Sequence, residues 1–200
     1  MMELDHLAIV CARLEEGAAW ASDRLGVPLE PGGRHETFGT WNRLLSLGPG
    51  LYLEVIAPEP GRAPGRPRWF GLDDVREPRL GNWIVRVPDL RAALEAAPPG
   101  AGEVVSMSRG PFRWDIAVPP DGSLPLGGGF PTLIRWHGDP PHGVLPDRGV
   151  RLTMLQVTHP DAVSLRAWTK GMADRRVTFR QGSRVKLTAR LATPRGEVVL

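Results

Sequence analysis

The sequence predicts an α+β fold built from repeated βαβββ modules. Three observations predict it. A strand-like run passes directly into a helical pattern three times, starting at Leu4, Asn82 and Leu152. Each helical pattern is followed by three further strand-like runs separated by turn residues. The strand-to-helix corner itself repeats, as Val87-Pro88-Asp89 and again as His159-Pro160-Asp161.

The first unit covers residues 1–58. Leu4–Val10 is apolar enough for a buried strand, and Leu14, Ala18, Ala21 and Leu25 then recur at helical spacing. Gly26-Val27-Pro28 ends that helix, because glycine accepts the left-handed backbone of a helix end and proline cannot continue the ladder. Strands are expected around Leu29–His35, Trp41–Leu47 and Leu51–Ala57, with Gly48-Pro49-Gly50 turning the chain between the last two. Residues 59–80 form a Pro/Gly/Arg-rich connector. The second unit, residues 81–142, opens with a strand from Asn82 to Val87 and a helix from Leu90 to Ala97. Asp89 precedes that helix as an N-cap, since its carboxylate accepts from the free amides of the first turn. Strands follow at Val104–Ser108, Phe112–Val118 and Pro131–Trp136. The third, shorter βαβββ-like unit, residues 143–200, places strands at Leu152–Thr158, Val177–Phe179, Val185–Leu191 and Val198–Leu200. Its helix runs from Asp161 to about Gly171, with Leu165, Trp168 and Met172 as core. The first two units pair, and the third packs alongside.

Composition narrows the function classes. With 200 residues and 42% apolar content the chain can bury a substantial core. No apolar run reaches membrane-spanning length, and the first residues lack the basic-then-apolar pattern of a secretory leader. Cys11 is the single cysteine, so no internal disulfide can form, as in proteins of a reducing compartment. The expectation is a cytoplasmic protein with no membrane partner. The sequence pI is 9.7, but the net charge is only +3 and the basic residues are scattered. Only Lys170 and Lys186 are lysines; the densest arginine clusters are Arg62, Arg66, Arg68 and the pair Arg175-Arg176. No basic-aromatic stripe or nucleic-acid motif appears, so the charge reads as solvated surface and no nucleic-acid partner is expected. Gly127-Gly128-Gly129 lacks the Lys-Ser/Thr and helix of a phosphate loop. No nucleophile elbow is present. His137 and His142 read as loop histidines.

Several runs resemble one superfamily. Leu4-Asp5-His6-Leu7-Ala8-Ile9 looks like the first strand of a vicinal-oxygen-chelate module, and Leu51-Tyr52-Leu53-Glu54-Val55-Ile56-Ala57-Pro58 like its fourth. The run from His35 to Leu44 and the run from Pro131 to Trp136 are similar to the glyoxalase-like subgroup. The resemblance covers residues 3–142 well and the remainder loosely. It implies a fold of the glyoxalase, bleomycin-resistance and dioxygenase kind, in which two modules pair into a cupped mixed sheet around a cavity. A divalent metal is typically held there by His and Glu side chains of the first and fourth strands.

Carried over residue by residue, His6 and Glu54 take the ligand positions of the first module, a donor pair suited to Zn, Ni, Fe or Mn. Aligning the two helix starts puts Asn82 where His6 stands, and the second unit's fourth strand offers Ile134. Half the ligand set is therefore missing, and no tightly held cofactor is expected. Glu54 within Tyr52-Leu53-Glu54-Val55-Ile56 carries more weight, because a carboxylate in so apolar a strand costs several kcal/mol unless it is paired, protonated or metal-bound. Glu54 and His6 are the candidate catalytic pair. Asn42, Asn82, Arg86, Arg109, Arg113, Trp114 and Trp136 are candidate ligand contacts. The bland alternatives are a hydrogen-bonded core histidine at position 6, a snorkelling Arg86 and plain core tryptophans. The leading reading is a glyoxalase-like protein binding a small anionic organic molecule, with lyase- or isomerase-type proton transfer or dioxygenase-related chemistry if it is an enzyme. The alternative is a non-catalytic binding or sequestering protein, as in resistance-type members. A structural module comes third. A homodimer is the one protein assembly considered.

Overall fold

The computed structural model describes residues 1–200. The first unit runs β1 (Glu3–Val10), α1 (Leu14–Leu25), β2 (Glu30–His35), β3 (Thr40–Ser46) and β4 (Tyr52–Pro58). The second runs β5 (Arg79–Arg86), α2 (Leu90–Glu95), β6 (Glu103–Arg109), β7 (Phe112–Val118) and β8 (Thr132–Trp136). Within each unit three strands meander back until the fourth lies parallel to the first, so β1 pairs with β4 and β5 with β8. Antiparallel pairing of β1 with β5 joins the halves into one eight-stranded sheet, ordered β2-β3-β4-β1-β5-β8-β7-β6. The sheet curls until its edge strands β2 and β6 approach one another. This is the α+β cupped-sheet fold that the repeat predicts.

Local chemistry sets the element ends. Gly26 closes α1 with φ of 70°, a conformation that costs glycine nothing. Asp89 caps α2 by accepting from the Ala92 amide at 3.1 Å, and Asp161 does the same for Ser164 at 3.0 Å.

The third unit contains β9 (Arg151–His159), α3 (Ala162–Trp168), β10 (Val177–Gln181), β11 (Lys186–Thr193) and β12 (Gly196–Val199). Its elements follow one another as in the first two units, but the pairing differs. The first strand, β9, lies parallel to the second, β10, and the sheet order is β10-β9-β11-β12.

Alternation along the strands splits the core in two. On the convex side of the large sheet, Leu7, Ile9, Leu53, Val55, Trp83 and Val85 pack against Leu14, Ala21 and Leu25 of α1. The same cluster takes in Leu152, Leu155, Val157, Ala189 and Leu191 from the small sheet. On the concave side, Ala8, Ile56, Ile84, Ile116 and Ile134 form a second cluster with Phe38, Trp69, Phe70 and Trp114. Polar side chains enter this inner layer at one end of the cup.

Candidate active site

The inner end of the cup holds a narrow pocket, lined by His6, Glu54, Asn42, Arg109, Trp114 and Trp136 among others. Each comes from a different strand: β1, β4, β3, β6, β7 and β8 respectively. His6 and Glu54 are both almost fully buried, and His6 Nε2 lies 3.7 Å from Glu54 Oε2. That gap is too long for a direct hydrogen bond.

His6 owes its orientation to a β-bulge. The register of β1 against β5 jumps between Leu4 and His6, leaving Asp5 as the extra residue. A bulge re-aims a side chain. Here Asp5 Oδ1 sits 2.7 Å from Nδ1 of its own neighbour. Asp5 is fully buried, and its other oxygen accepts from Trp136 Nε1 at 3.0 Å and from Arg86 at 3.4 Å. With Nδ1–H donating to Asp5, His6 directs Nε2 toward Glu54. Tyr52 stacks on the imidazole, ring centroids 4.4 Å apart. Burial holds the Tyr52 hydroxyl well above its ordinary pKa, and the charges of Asp5 and Glu54 add to the effect.

Glu54 is fixed from the other side. Its Oε1 accepts from Asn42 Nδ2 at 2.5 Å. Asn42 Oδ1 in turn accepts from the Gly33 amide at 2.8 Å and from Arg109 at 3.0 Å. Arg109 also reaches His35 Nε2 at 3.3 Å, and His35 Nδ1 lies 3.1 Å from Thr40 Oγ1. A hydrogen-bonded chain thus crosses the cup from Glu54 to Thr40, with the Asp5–His6 pair 3.7 Å beyond Glu54. Arg109 spans the gap between the two edge strands. Gly33 makes room for it, since a Cβ there would stand 2.5 Å from Arg109 Cδ. Burial pulls the His35 pKa well below its ordinary value, helped by Arg109 and then His6, so the ring is neutral and accepts from the guanidinium.

Three expected contact residues lie outside this pocket. Arg86 does point to the concave side, but its guanidinium binds Glu3 at 2.8 Å, Asp5, and the Gly50 carbonyl at 3.0 Å. Its partners are thus two carboxylates and a backbone carbonyl. Arg113 is exposed and donates to the Gly110 and Phe112 carbonyls. Asn82 is buried and donates to Thr132 Oγ1 at 2.9 Å. That contact corrects the alignment of the halves. Glu54 lies opposite Ala8, and Ile84, the counterpart of Ala8, lies opposite Thr132. The partner of Glu54 in the second half is therefore Thr132, not Ile134. Where the first half has a His/Glu pair, the second has a mutually satisfied Asn/Thr pair.

Four lining residues are not among the expected contacts: His35 and Tyr52 on strands, and Trp69 and Phe70 off them. Trp69 and Phe70 come from a 3₁₀ segment, Trp69–Asp74, inside the Pro-rich connector. Phe70 has φ of 61°, a left-handed backbone that is uncommon for an aromatic residue and is often found at functional sites. The one sequence signal for His35 was Gly32-Gly33 within a strand, since paired glycines there mark a close approach.

The donor set does not fit a transition-metal centre. His6 Nε2 and Glu54 Oε2 share an orientation, but no third His, Cys, Asp or Glu joins them, and Asn42 turns its amide N–H toward Glu54. Such sites require three or four protein ligands.

Comparison with known proteins agrees with this fold. A crystal structure of a hypothetical protein from Staphylococcus aureus is similar over 93% of this chain and 88% of its own, with a TM-score of 0.65 at 16% identity. Methylmalonyl-CoA epimerase from Mycobacterium tuberculosis aligns over 68% of this chain and 88% of its own, with a TM-score of 0.41 at 24% identity. No curated protein matches the sequence. No helix is long and apolar enough to cross a membrane. The profile of the glyoxalase-like domain matches residues 4–173. Paired βαβββ halves and that match together make the chain a member of the glyoxalase-like domain family of the vicinal-oxygen-chelate superfamily.

Proposed function

We propose that the pocket binds a small organic anion with an acidic C–H beside a carbonyl or carboxylate, and that Glu54 moves the proton. The observation that carries this reading is Glu54 itself. It is a buried carboxylate held by one hydrogen bond from Asn42, with its second oxygen facing His6 Nε2 across 3.7 Å. A carboxylate oxygen free of protein donors and shielded from water is suited to act as a general base. His6, oriented by Asp5, offers a second basic site beside it. Arg109 supplies the one guanidinium of the pocket and would hold the ligand's anionic oxygens, either alone or by leaving Asn42 and His35. In the reaction the C–H electron pair stays on the ligand as an enolate, the proton passes to Glu54 Oε2, and reprotonation returns it to carbon.

The test is hydrogen–deuterium exchange at carbon. Small 2-substituted carboxylates in D₂O are incubated with the protein and followed by proton NMR. Wild type should catalyse exchange on a subset of them. Glu54→Gln should slow it by roughly 10²–10⁴-fold, while still folding and binding the same compounds. Undiminished exchange in Glu54→Gln would end the proposal. Equal binding by both proteins with exchange by neither would favour the sequestering reading.

A further inference from the structure

Charge is divided unevenly along the chain. Residues 143–200 hold eleven of the 25 Lys and Arg residues but four of the 22 Asp and Glu residues, a net +7 against −4 for residues 1–142. Such asymmetry between segments points to an anionic partner for the basic one. The four acids of the basic segment are already engaged. Asp147 pairs with Arg151, Asp174 with Arg176, and Glu197 with Arg190, while Asp161 caps α3.

Three of the cations left over gather on one face. The inward side of the small sheet packs on the large one, and α3 also contributes Leu165 to that core. The outward side is bare and polar. Arg180 on β10 and Lys186 on β11 both stand opposite Thr158 of the central strand β9. They therefore flank it in one cross-strand row, two strand spacings or about 10 Å apart. The turn after β10 packs directly on Thr158, where a Cβ on Gly182 would stand 2.3 Å from Thr158 Cγ2, and it carries Arg184 to the same groove. The groove is open to solvent and has no apolar or acidic lining residue. Arg180, Arg184, Lys186, Gln156, Thr158 and Thr188 make no side-chain hydrogen bond or ion pair within the protein, unlike Arg151 of β9 and Arg190 of β11. Three like charges converge there without a counter-charge, beside neutral donors that are also free.

We propose that this outward face binds an anion bearing two or more linked phosphoryl groups, held by Arg180, Arg184 and Lys186 around Thr158. The spacing selects that class. Cations rooted two strand spacings apart can be engaged together by the several anionic oxygens of linked phosphoryl groups, whereas a single carboxylate offers only two oxygens on one carbon. The absence of aromatic and apolar lining argues against a base-stacking or lipid-inserting partner. The three cations, Arg180, Arg184 and Lys186, lie beyond the segment that matches the glyoxalase-like family. The site is independent of the Glu54 pocket.

Tripolyphosphate is the probe, titrated calorimetrically at low salt into wild type, Arg180→Ala/Lys186→Ala, and Lys170→Ala as an exposed cation of the same unit outside the groove. The expected result is binding by wild type and Lys170→Ala, weakened about tenfold or more in the double variant. Circular dichroism checks that the double variant is folded; because both side chains are exposed, it should be. No binding to wild type, equal binding by the double variant, or equal weakening in Lys170→Ala would each overturn the proposal, the last by showing diffuse charge attraction. Retention of duplex DNA with no tripolyphosphate binding would also overturn it.

Discussion

Glu54 was readable from the sequence because a carboxylate between Leu53 and Val55 breaks the apolar strand on either side of it. Its partners were only half readable. His6 and Asn42 fall on the concave face by alternation, and the structure places both beside Glu54. Arg86 obeyed the same alternation and pairs with Glu3 and Asp5, which alternation could not foresee because it says nothing about which charges meet across strands. His35 was not singled out at all; its role arises from Arg109 arriving from the far edge of the sheet. This histidine has a thermodynamic consequence. Its pKa is lowered in the folded protein, so below the ordinary value of 6.5 the unfolded chain binds more protons than the folded one. Its contribution to stability is therefore complete above that pH and is lost as pH falls below it, by up to about 1.4 kcal/mol per pH unit. His142 is shifted the same way, chiefly by burial, so the comparison must be made within one background. Urea midpoints at pH 7.5 and 5.5 should converge in His35→Gln relative to wild type. An identical acid-side loss in the two proteins would show that His35 does not carry the effect.

At the scale of elements, periodicity found the strands and helices of the repeat, since each buries one face and hydrophobic spacing reports burial. It could not find the bulge at Asp5 or the pairing of Glu54 with Thr132's position, because register is set by contacts between strands distant in sequence. Nor could it show that the connector supplies Trp69 and Phe70 to the pocket, since Pro and Gly signal a break in regular structure but not what the break covers. Helix α1 illustrates a rule broken for a packing reason. Gly17 in its interior is a poor helix former, yet a Cβ there would stand 2.3 Å from Cys11 Sγ and 3.1 Å from Val55 Cγ1. The helix therefore lies directly on β1 and β4. The Cys11 thiol, buried against it and donating to the Ile56 carbonyl at 3.3 Å, has its pKa pushed up to about 12 by burial. Gly17→Ala gains up to about 1 kcal/mol of helix propensity and loses about 1–3 kcal/mol to overpacking. The urea midpoint should fall and Cys11 should become more reactive toward a thiol reagent. A midpoint equal to or above wild type would show that the helix shifts without cost.

At the scale of the whole molecule, the third unit was legible as a strand-helix-strand succession, but its role follows from where its inner face lies. The convex side of the large sheet is not covered by α1 and α2 alone. Leu152, Leu155, Val157, Leu165, Ala189 and Leu191 belong to the same core cluster as Leu7, Ile9 and Trp83. Trp83 is fully buried, donates to the Gly128 carbonyl at 3.2 Å and has Phe179 of β10 as its aromatic neighbour at 6.1 Å. Each large side chain so buried is worth about 1.5–3 kcal/mol relative to exposure, and net stability of a domain is about 5–15 kcal/mol. Uncovering several of them at once exceeds what the paired halves can tolerate. The full chain should therefore unfold in one transition, with tryptophan fluorescence and circular dichroism giving the same urea midpoint. A chain ending at Pro146 keeps the whole Glu54 pocket but exposes the convex face, and it should aggregate or unfold without cooperativity. A truncated protein that is monomeric by gel filtration and melts sharply would show that the two paired halves are self-sufficient. The small sheet would then be an attached module and not part of the core.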